Sequence, residues 1–293
     1  MTYSDPTIQT QAYEQVFVRN QEVILHTTIY PRANAETVIL LHGGPGVPDP
    51  MSELALELNR KYQVINFEQR GTGASSNPND DYSMASYISD IDAIASHFEL
   101  NTFHLFGHSW GGLYAQIYAA AKPERLESLF LCSPSSGTNT TWQLCEREVM
   151  QFNQSATSGG EWMVMGWNSL LGMLGSDRAY QRLFYQVLKN YHQAYPDIEI
   201  NREQLGGIKA KPVNKTRKAI LAYPELSPIA NPSFPVMIAY GSNDIYQESK
   251  EEVSKRFPTA RAIEIEDAGH IPWLHQPLAF GELLDGFYGL VVR

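Results

Sequence analysis

What the chain lacks narrows it first. Cysteine occurs only twice, as Cys132 and Cys145, too few for the disulfide framework of a small secreted domain. The opening MTYSDPTIQT is polar, without the basic segment and apolar stretch that direct export. No apolar run approaches the roughly 20 residues that span a bilayer. Together these absences lead us to expect a cytoplasmic protein with reduced thiols and no membrane partner. Positive charge is also scarce: 22 Lys and Arg against 32 Asp and Glu give a formal net charge of -10. Such a chain repels nucleic acid on average, and no strongly basic domain argues otherwise. Internal repeats and low-complexity tracts are missing as well. Yet 43% of residues are hydrophobic and 18% charged, a balance that excludes a wholly disordered chain. The 293 residues suffice for one large α/β domain or a core with a smaller insertion.

What is present alternates. EQVFVRNQEVILHTTIY reads as two β-branched strands turning at Arg19-Asn20-Gln21. TVILL, QVINF, FHLFG, SLFLCS, PVMIAYG and RAIEIE are short runs, most of them continuously apolar, of the kind that suits strands buried on both faces of a parallel sheet. Helical segments separate them: SELALELNRKY with Ser52 as its expected N-cap, SYISDIDAIASHFEL, LYAQIYAAAK stopped by Pro123, and the closing LAFGELLDGFYGLVV. This rhythm implies right-handed crossovers and a mostly parallel sheet covered on both sides. Between 134 and 226 the strands cease. TWQLCEREVMQF, EWMVMGWNSLLGML and DRAYQRLFYQVLKNYH read as helices, and three of the five tryptophans fall here (Trp142, Trp162, Trp167). We therefore expect residues 1–133 and 227–293 to form the core and 134–226 an inserted helical lid. Such a lid lies over the strand ends where open α/β sheets bind ligands, and its Trp and Met side chains offer apolar surface to a substrate.

Chemistry concentrates in GHSWG, Gly107 to Gly111, which matches G-x-S-x-G between the strand FHLF and the helix LYAQIYAA. In that setting the serine sits on a strained strand-to-helix turn whose neighbours two before and two after must be small. Ser109 is the candidate nucleophile. A serine hydroxyl needs a base within hydrogen-bond reach and a third group to orient it. In this topology the chain order is Ser, then Asp or Glu, then His, which selects Asp244 and His270, each just beyond a strand. Asp267 also lies near a strand end but is too close in sequence to reach behind the His270 ring easily. His275 reads as a surface or packing residue, and His108 is expected to point away from the site. His104 and His108 have the spacing of a metal pair, but a glycine and a turn intervene, so no metal is expected. Donors for a developing oxyanion are the backbone N–H of Trp110, whose indole is expected to wall the pocket, and the bare amides of HGGPG at Gly43 and Gly44.

HGGPG, EQRGTGASS, GHSWGG, GSND and DAGH, in that order, resemble the α/β-hydrolase superfamily and more narrowly its proline iminopeptidase group. The resemblance spans nearly the whole core. It implies an eight-stranded, mostly parallel sheet with a helical cap, the triad Ser109, Asp244 and His270, and oxyanion donors at Gly44 (or Gly43) and Trp110. It also implies release of an N-terminal residue from peptides or related amides without a cofactor. Two departures stand out. Glu68 replaces the usual Asp of D-Q-R-G, and the cap carries EWMVMGWNS where the group has W-x-x-W-E. Glu161, Trp162 and Trp167 are the candidate substrate contacts there, with Glu146, Glu148 or Glu203 as other carboxylates for a substrate amine. The basic segment KAKPVNKTRKA reads as a solvated helix start.

The expected function is thus a serine hydrolase acting on a small-molecule or short-peptide substrate through an acyl-enzyme. A carboxylesterase or lactonase with the same machinery is the alternative, and a non-catalytic ligand receptor on this fold is a third reading. The residues do not specify an oligomeric state.

Overall fold

A strand that is apolar at every position has no side to offer water, so it must be covered on both faces. The computed structural model describes residues 13–291; the polar opening segment lies outside them. Its strands are β1 (Glu14–Asn20), β2 (Val23–Tyr30), β3 (Thr37–Leu41), β4 (Gln63–Phe67), β5 (Phe103–His108), β6 (Leu126–Cys132), β7 (Val236–Gly241) and β8 (Arg261–Ile265). They form one eight-stranded sheet in the order β1-β2-β4-β3-β5-β6-β7-β8. β2 pairs antiparallel with β1 and β4, and the remaining pairs are parallel. The interior strands β3, β5 and β7 are buried at every residue, whereas the edge strands β1 and β8 are largely exposed.

Helices α1 (Ser52–Asn59), α2 (Met84–His97) and α3 (Trp110–Ala121) follow β3, β4 and β5. Five helices lie between β6 and β7: α4 (Asn139–Ser155), α5 (Gly159–Met173), α6 (Asp177–Tyr191), α7 (Arg202–Leu205) and α8 (Ala210–Ala222). The chain ends with α9 (Lys250–Arg256), α10 (Pro272–His275) and α11 (Pro277–Val291). Strand alternation sorts the core into two layers. Ile39, Leu41 and Leu105 cluster with Ile91 and Ile94 of α2 and Leu113 and Ile117 of α3. Val38, Leu40 and Phe106 cluster with Leu54 and Leu58 of α1 and Phe280 and Leu284 of α11. A smaller cluster of Tyr180, Leu205, Ile208, Ala210 and Val213 holds the inserted helices together.

One local expectation fails. Ser52 does not cap α1 but is its first residue; Met51, at φ 46°, occupies the N-cap. The cause is the turn before it, where Asp49 Oδ1 accepts the Met51 N–H at 2.9 Å.

The parallel register sets Leu41 beside Gly107, His108 beside Cys132, Cys132 beside Ala239 and Gly241 beside Ile265. The segments after β3, β5, β7 and β8 therefore leave the sheet along one edge. The loop after β4 is anchored there by a buried ion pair. Arg70 donates Nε–H and Nη2–H to the two Asp90 oxygens at 2.8 Å each, and its remaining donors reach the carbonyls of Asp81 at 2.8 Å and Ser86 at 2.6 Å. Asn20 donates to Asp90 Oδ1 at 2.8 Å. Removing one partner of such a pair leaves the other charge buried alone. Asp90→Ala is expected to lower the unfolding free energy by about 3–5 kcal/mol in urea titrations; a loss below about 1 kcal/mol would show that Arg70 finds water instead.

Candidate active site

Ser109 sits at φ 54° and ψ −118°, a conformation that costs a residue with a Cβ roughly 1–3 kcal/mol. The surroundings hold it there. Its N–H donates to the Cys132 carbonyl at 3.1 Å, and its carbonyl accepts from Leu113 at 3.2 Å and Ser135 at 2.9 Å. The turn is tight enough that a Cβ at Gly107 would strike the Gly111 carbonyl, and one at Gly111 would strike the carbonyl of Leu41. Both glycines are therefore required by close backbone approach, and the turn brings α3 directly against the end of β3.

The loops after β7 and β8 complete the arrangement. His270 Nδ1–H donates to Asp244 Oδ1 at 3.0 Å, which leaves Nε2 as the acceptor facing Ser109 Oγ at 3.1 Å. Asp244 Oδ1 also accepts the Tyr246 N–H at 3.1 Å. Burial pushes the Asp244 carboxyl up, but His270, the neighbouring Ser133 hydroxyl and the Tyr246 N–H outweigh it and hold it below its ordinary value. The His270 loop is seated against β7, where a Cβ on Gly241 would meet the Ala268 and Gly269 carbonyls. Asp267 takes no part: its carbonyl receives the Tyr195 hydroxyl at 2.9 Å instead.

Gly43 and Gly44 lie beside the serine. A Cβ built on Gly43 would stand 3.1 Å from Ser109 Cβ, and Gly44 turns with φ +65°. The Trp110 N–H opens α3 and so has no acceptor within the helix. Gln69 joins these pieces. Its Nε2–H donates to the His42 carbonyl at 2.9 Å and its backbone N–H to His42 Nε2 at 3.2 Å, while its Oε1 accepts the Trp110 indole N–H at 2.7 Å. The Trp110 indole is thus buried in the core with Tyr87 and Tyr114 and does not wall the pocket as the sequence led us to expect. A polar Nε1 at a buried site seeks a fixed acceptor, and Gln69 of the EQRG stretch supplies it.

A cavity of about 300 Å³ opens above Ser109 and His270. From the inserted helices it receives Phe184, Val187, Leu188 and Tyr191 of α6, then Ile200, Gln204 and Leu205. The α6 residues recur at i, i+3, i+4 and i+7, a one-face spacing legible in DRAYQRLFYQVLKNYH. The cap residues singled out from sequence are elsewhere. Glu161 closes the capping box of α5 with Ser158 and pairs with Lys189 at 3.4 Å; Trp162 is half-buried outside the cavity and Trp167 is 62% exposed. The turn chemistry of Ser158 and the outward face of α5 explain the difference. Glu146 pairs with Arg217, Glu203 is exposed on α7, and Glu148 is buried against the loop after Asp244. Among the described residues, the carboxylates that line the cavity are Asp49, Glu53 and Glu199, and no lysine or arginine lines it.

An eight-stranded, mostly parallel sheet bearing a hydroxyl, an imidazole and a carboxylate in hydrogen-bonded series at its strand ends defines the class as α/β with a serine-centred site. Residues 36–276 match the family model described as alpha/beta hydrolase fold, and the chain belongs to that family. It is 36% identical over 114 residues to a proline iminopeptidase of Lactobacillus helveticus, covering 37% of this chain and 39% of that one; the chain thus spans well under half the length of that relative. A proline iminopeptidase of Lactobacillus delbrueckii subsp. bulgaricus is 24% identical over 273 residues, covering 84% of this chain and 88% of the relative. The crystal structure of a Mycobacterium smegmatis proline iminopeptidase superposes with a TM-score of 0.70 at 16% identity, covering 95% of this chain and 98% of that one. Among the described residues no helix is long and apolar enough to cross a membrane, and no group of three or more His, Cys, Asp or Glu side chains is placed to hold a metal.

Besides His270, the buried rings of His108, His192 and His275 lie against the His270 loop or line the cavity. His108 does not point away: it lines the cavity and donates Nε2–H to the His270 carbonyl at 2.9 Å. His104 is separate, bonded to Ser128 at 2.8 Å and Glu36 at 3.1 Å. His275 is buried rather than at the surface. Its Nδ1 accepts the Gly269 N–H at 2.9 Å, and its Nε2–H therefore donates to His192 Nδ1 at 3.0 Å, joining the end of α6 to the His270 loop. Burial lowers these rings from 6.5 to about 3 for His108, about 4 for His192 and about 3 for His275. The unfolded chain takes up these protons at higher pH than the folded one, so the stability involved is present above 6.5 and is lost as pH falls toward those values. We expect the melting temperature to fall between about pH 7.5 and about pH 4.5, with a shallower slope in His275→Gln. Equal slopes would show that this ring does not titrate on unfolding.

Proposed function

We propose that the protein is a serine hydrolase that cleaves small amides or short peptides with a free amino terminus, releasing the N-terminal residue. The observation that carries the reading is the Ser109–His270–Asp244 series, with its 3.1 and 3.0 Å links, opening into one small cavity. Ser109 Oγ attacks the substrate carbonyl carbon while its proton passes to His270 Nε2. Asp244 holds the Nδ1–H and stabilises the ring's positive charge. The Trp110 N–H, with a Gly43 or Gly44 N–H, receives the oxyanion, an interaction worth several kcal/mol in such sites (about 2.7–4). Collapse of the tetrahedral intermediate breaks the C–N bond, and His270 returns its proton to the leaving amine. Water then adds to the acyl-enzyme, giving its proton to His270, and Ser109 leaves with that proton restored. Every proton in this scheme moves between substrate, water, Ser109 and His270, and Asp244 stays ionised throughout.

The free amine is favoured by the charge of the cavity. Its acidic lining residues are Asp49, Glu53 and Glu199, and among the described residues no lysine or arginine joins them. Asp49 Oδ1 is committed to the Met51 N–H and to Gln204 at 3.3 Å, which leaves Oδ2 for a substrate ammonium. Burial raises the Asp49 carboxyl, opposed by the Met51 N–H and the Gln204 amide; an adjacent ammonium would draw it back down. The relatives named as proline iminopeptidases point the same way. An ester substrate is the second reading, favoured by the apolar α6 face of the same cavity.

A panel of prolyl and leucyl p-nitroanilides, with free and acetylated amines, beside p-nitrophenyl butyrate separates these readings. The free-amine anilides are expected to be the better substrates. Asp49→Asn should raise their KM about tenfold or more, equivalent to about 1.4 kcal/mol, and the ester KM by less. Indifference to acetylation would remove the aminopeptidase reading and leave the esterase.

A further inference from the structure

Glu148 is the buried carboxylate of the inserted helices that neither the chemistry above nor the cavity uses. It lies on α4 at 6% exposure, and one of its oxygens accepts three consecutive backbone donors. Oε1 receives the N–H of Gln247 at 3.1 Å, of Glu248 at 2.7 Å and of Ser249 at 3.1 Å. Oε2 is buried without a partner. Charge-assisted bonds of this kind are about twice as strong as neutral ones, and leaving the buried Ser249 amide unsatisfied is costly.

The segment so gathered begins three residues after Asp244. Gln247 is bound twice: its backbone N–H goes to Glu148 and its side-chain Nε2–H to the Asp244 carbonyl at 2.7 Å. Tyr246, between them, donates its N–H to Asp244 Oδ1 and packs edge-on against the His270 ring with centroids 5.3 Å apart. Its hydroxyl is bonded to Ser135 Oγ at 2.7 Å. Glu148 therefore reaches the Asp244 carboxylate through the backbone of residues 244–247, which is tied by hydrogen bonds at Gln247 and Tyr246. Asp244 Oδ2 has no well-aligned partner of its own, so its position depends on the loop that carries it.

We infer that Glu148 is a positioning residue for Asp244: the inserted helices hold the acid loop in register and are part of the machinery that aligns His270. This rests on the proposed roles of Ser109, His270 and Asp244, and it reassigns a glutamate that the sequence offered as a contact for a substrate amine. Glu148 acts through the backbone of residues 247–249 and does not touch the substrate.

The test is a mutant cycle between Glu148→Ala and Asp244→Asn, read as kcat and KM on p-nitrophenyl acetate, with near-ultraviolet circular dichroism to verify folding. Displacement of an aligned group by about an ångström costs on the order of 100-fold, and that loss is expected in kcat of E148A with KM little changed. E148Q, which keeps the acceptor oxygen and loses the charge, should recover most of it. In the D244N background E148A should cost little more, because the group it positions has already been disabled. Wild-type kcat in folded E148A overturns the inference, and so does a loss repeated in full on D244N. If E148A does not fold, Gln247→Ala, which cuts the side-chain link to the Asp244 carbonyl at an exposed position, takes its place in the cycle: a kcat loss that vanishes on D244N supports the inference, and an unchanged kcat or an additive loss overturns it. Folded wild-type protein that hydrolyses neither esters nor amides, or a Ser109→Ala variant that hydrolyses them equally, overturns the hydrolase reading and this inference with it.

Discussion

The structure depends on how closely the turn at Ser109 approaches the end of β3. Gly111 lies where any side chain would strike the Leu41 carbonyl, and that contact brings the Gly43–Gly44 backbone next to the serine. Three features follow from it. Ser109 is forced to a positive φ, the first amide of α3 is aimed at the same space, and the HGGPG loop lies beside both. The strain is met by bonds to Cys132 at the end of β6, Leu113 in the first turn of α3 and Ser135 just beyond β6. A functional conformation is thus held by ordinary ladder and helix geometry around it, as strained sites require.

Gln69 and Arg70 show how the neighbouring loop serves that arrangement. Arg70 spends its donors on Asp90 and two carbonyls, fixing the loop to α2. Gln69 is then free to bridge His42 and the Trp110 indole. The EQRG stretch sits near the site without contributing a reacting atom. Its change from the family's usual Asp to Glu68 falls on a residue that bonds the Ala74 N–H, away from those bridges.

Much of this was legible in the residues alone, and the reason is local. Continuous apolar runs demand double burial, and glycines flanking a serine demand a tight turn; both are statements about a few adjacent residues. The order of Ser109, Asp244 and His270 could be read because parallel strands deliver their carboxyl ends to one edge. The inserted helices were harder. Their boundaries follow from the loss of strand-like runs, but which face of each helix meets the core is a tertiary property. Tryptophan and methionine content drew attention to α5, whose Trp167, Met163 and Leu174 are exposed, while the cavity took the i, i+3, i+4, i+7 face of α6. Glu161 looked like a ligand and is a helix cap, a role its Ser158 three residues earlier already announced. His108 and the Trp110 indole were misdirected for a related reason: their orientations depend on His270 and Gln69, residues distant in sequence.

The helices between β6 and β7 emerge as more than a roof. Through α6 they shape the cavity, through His192 and His275 they meet the His270 loop, and through Glu148 they meet the loop after Asp244. Their part in catalysis depends on Ser109 being a nucleophile. The most direct measurement is the mass of the intact protein after exposure to a fluorophosphonate probe, with the modified peptide located by fragmentation. The account predicts one covalent adduct on Ser109, absent from folded Ser109→Ala and slowed by Asp244→Asn. Folded wild-type protein that forms no adduct, or forms it equally without Ser109, would contradict it.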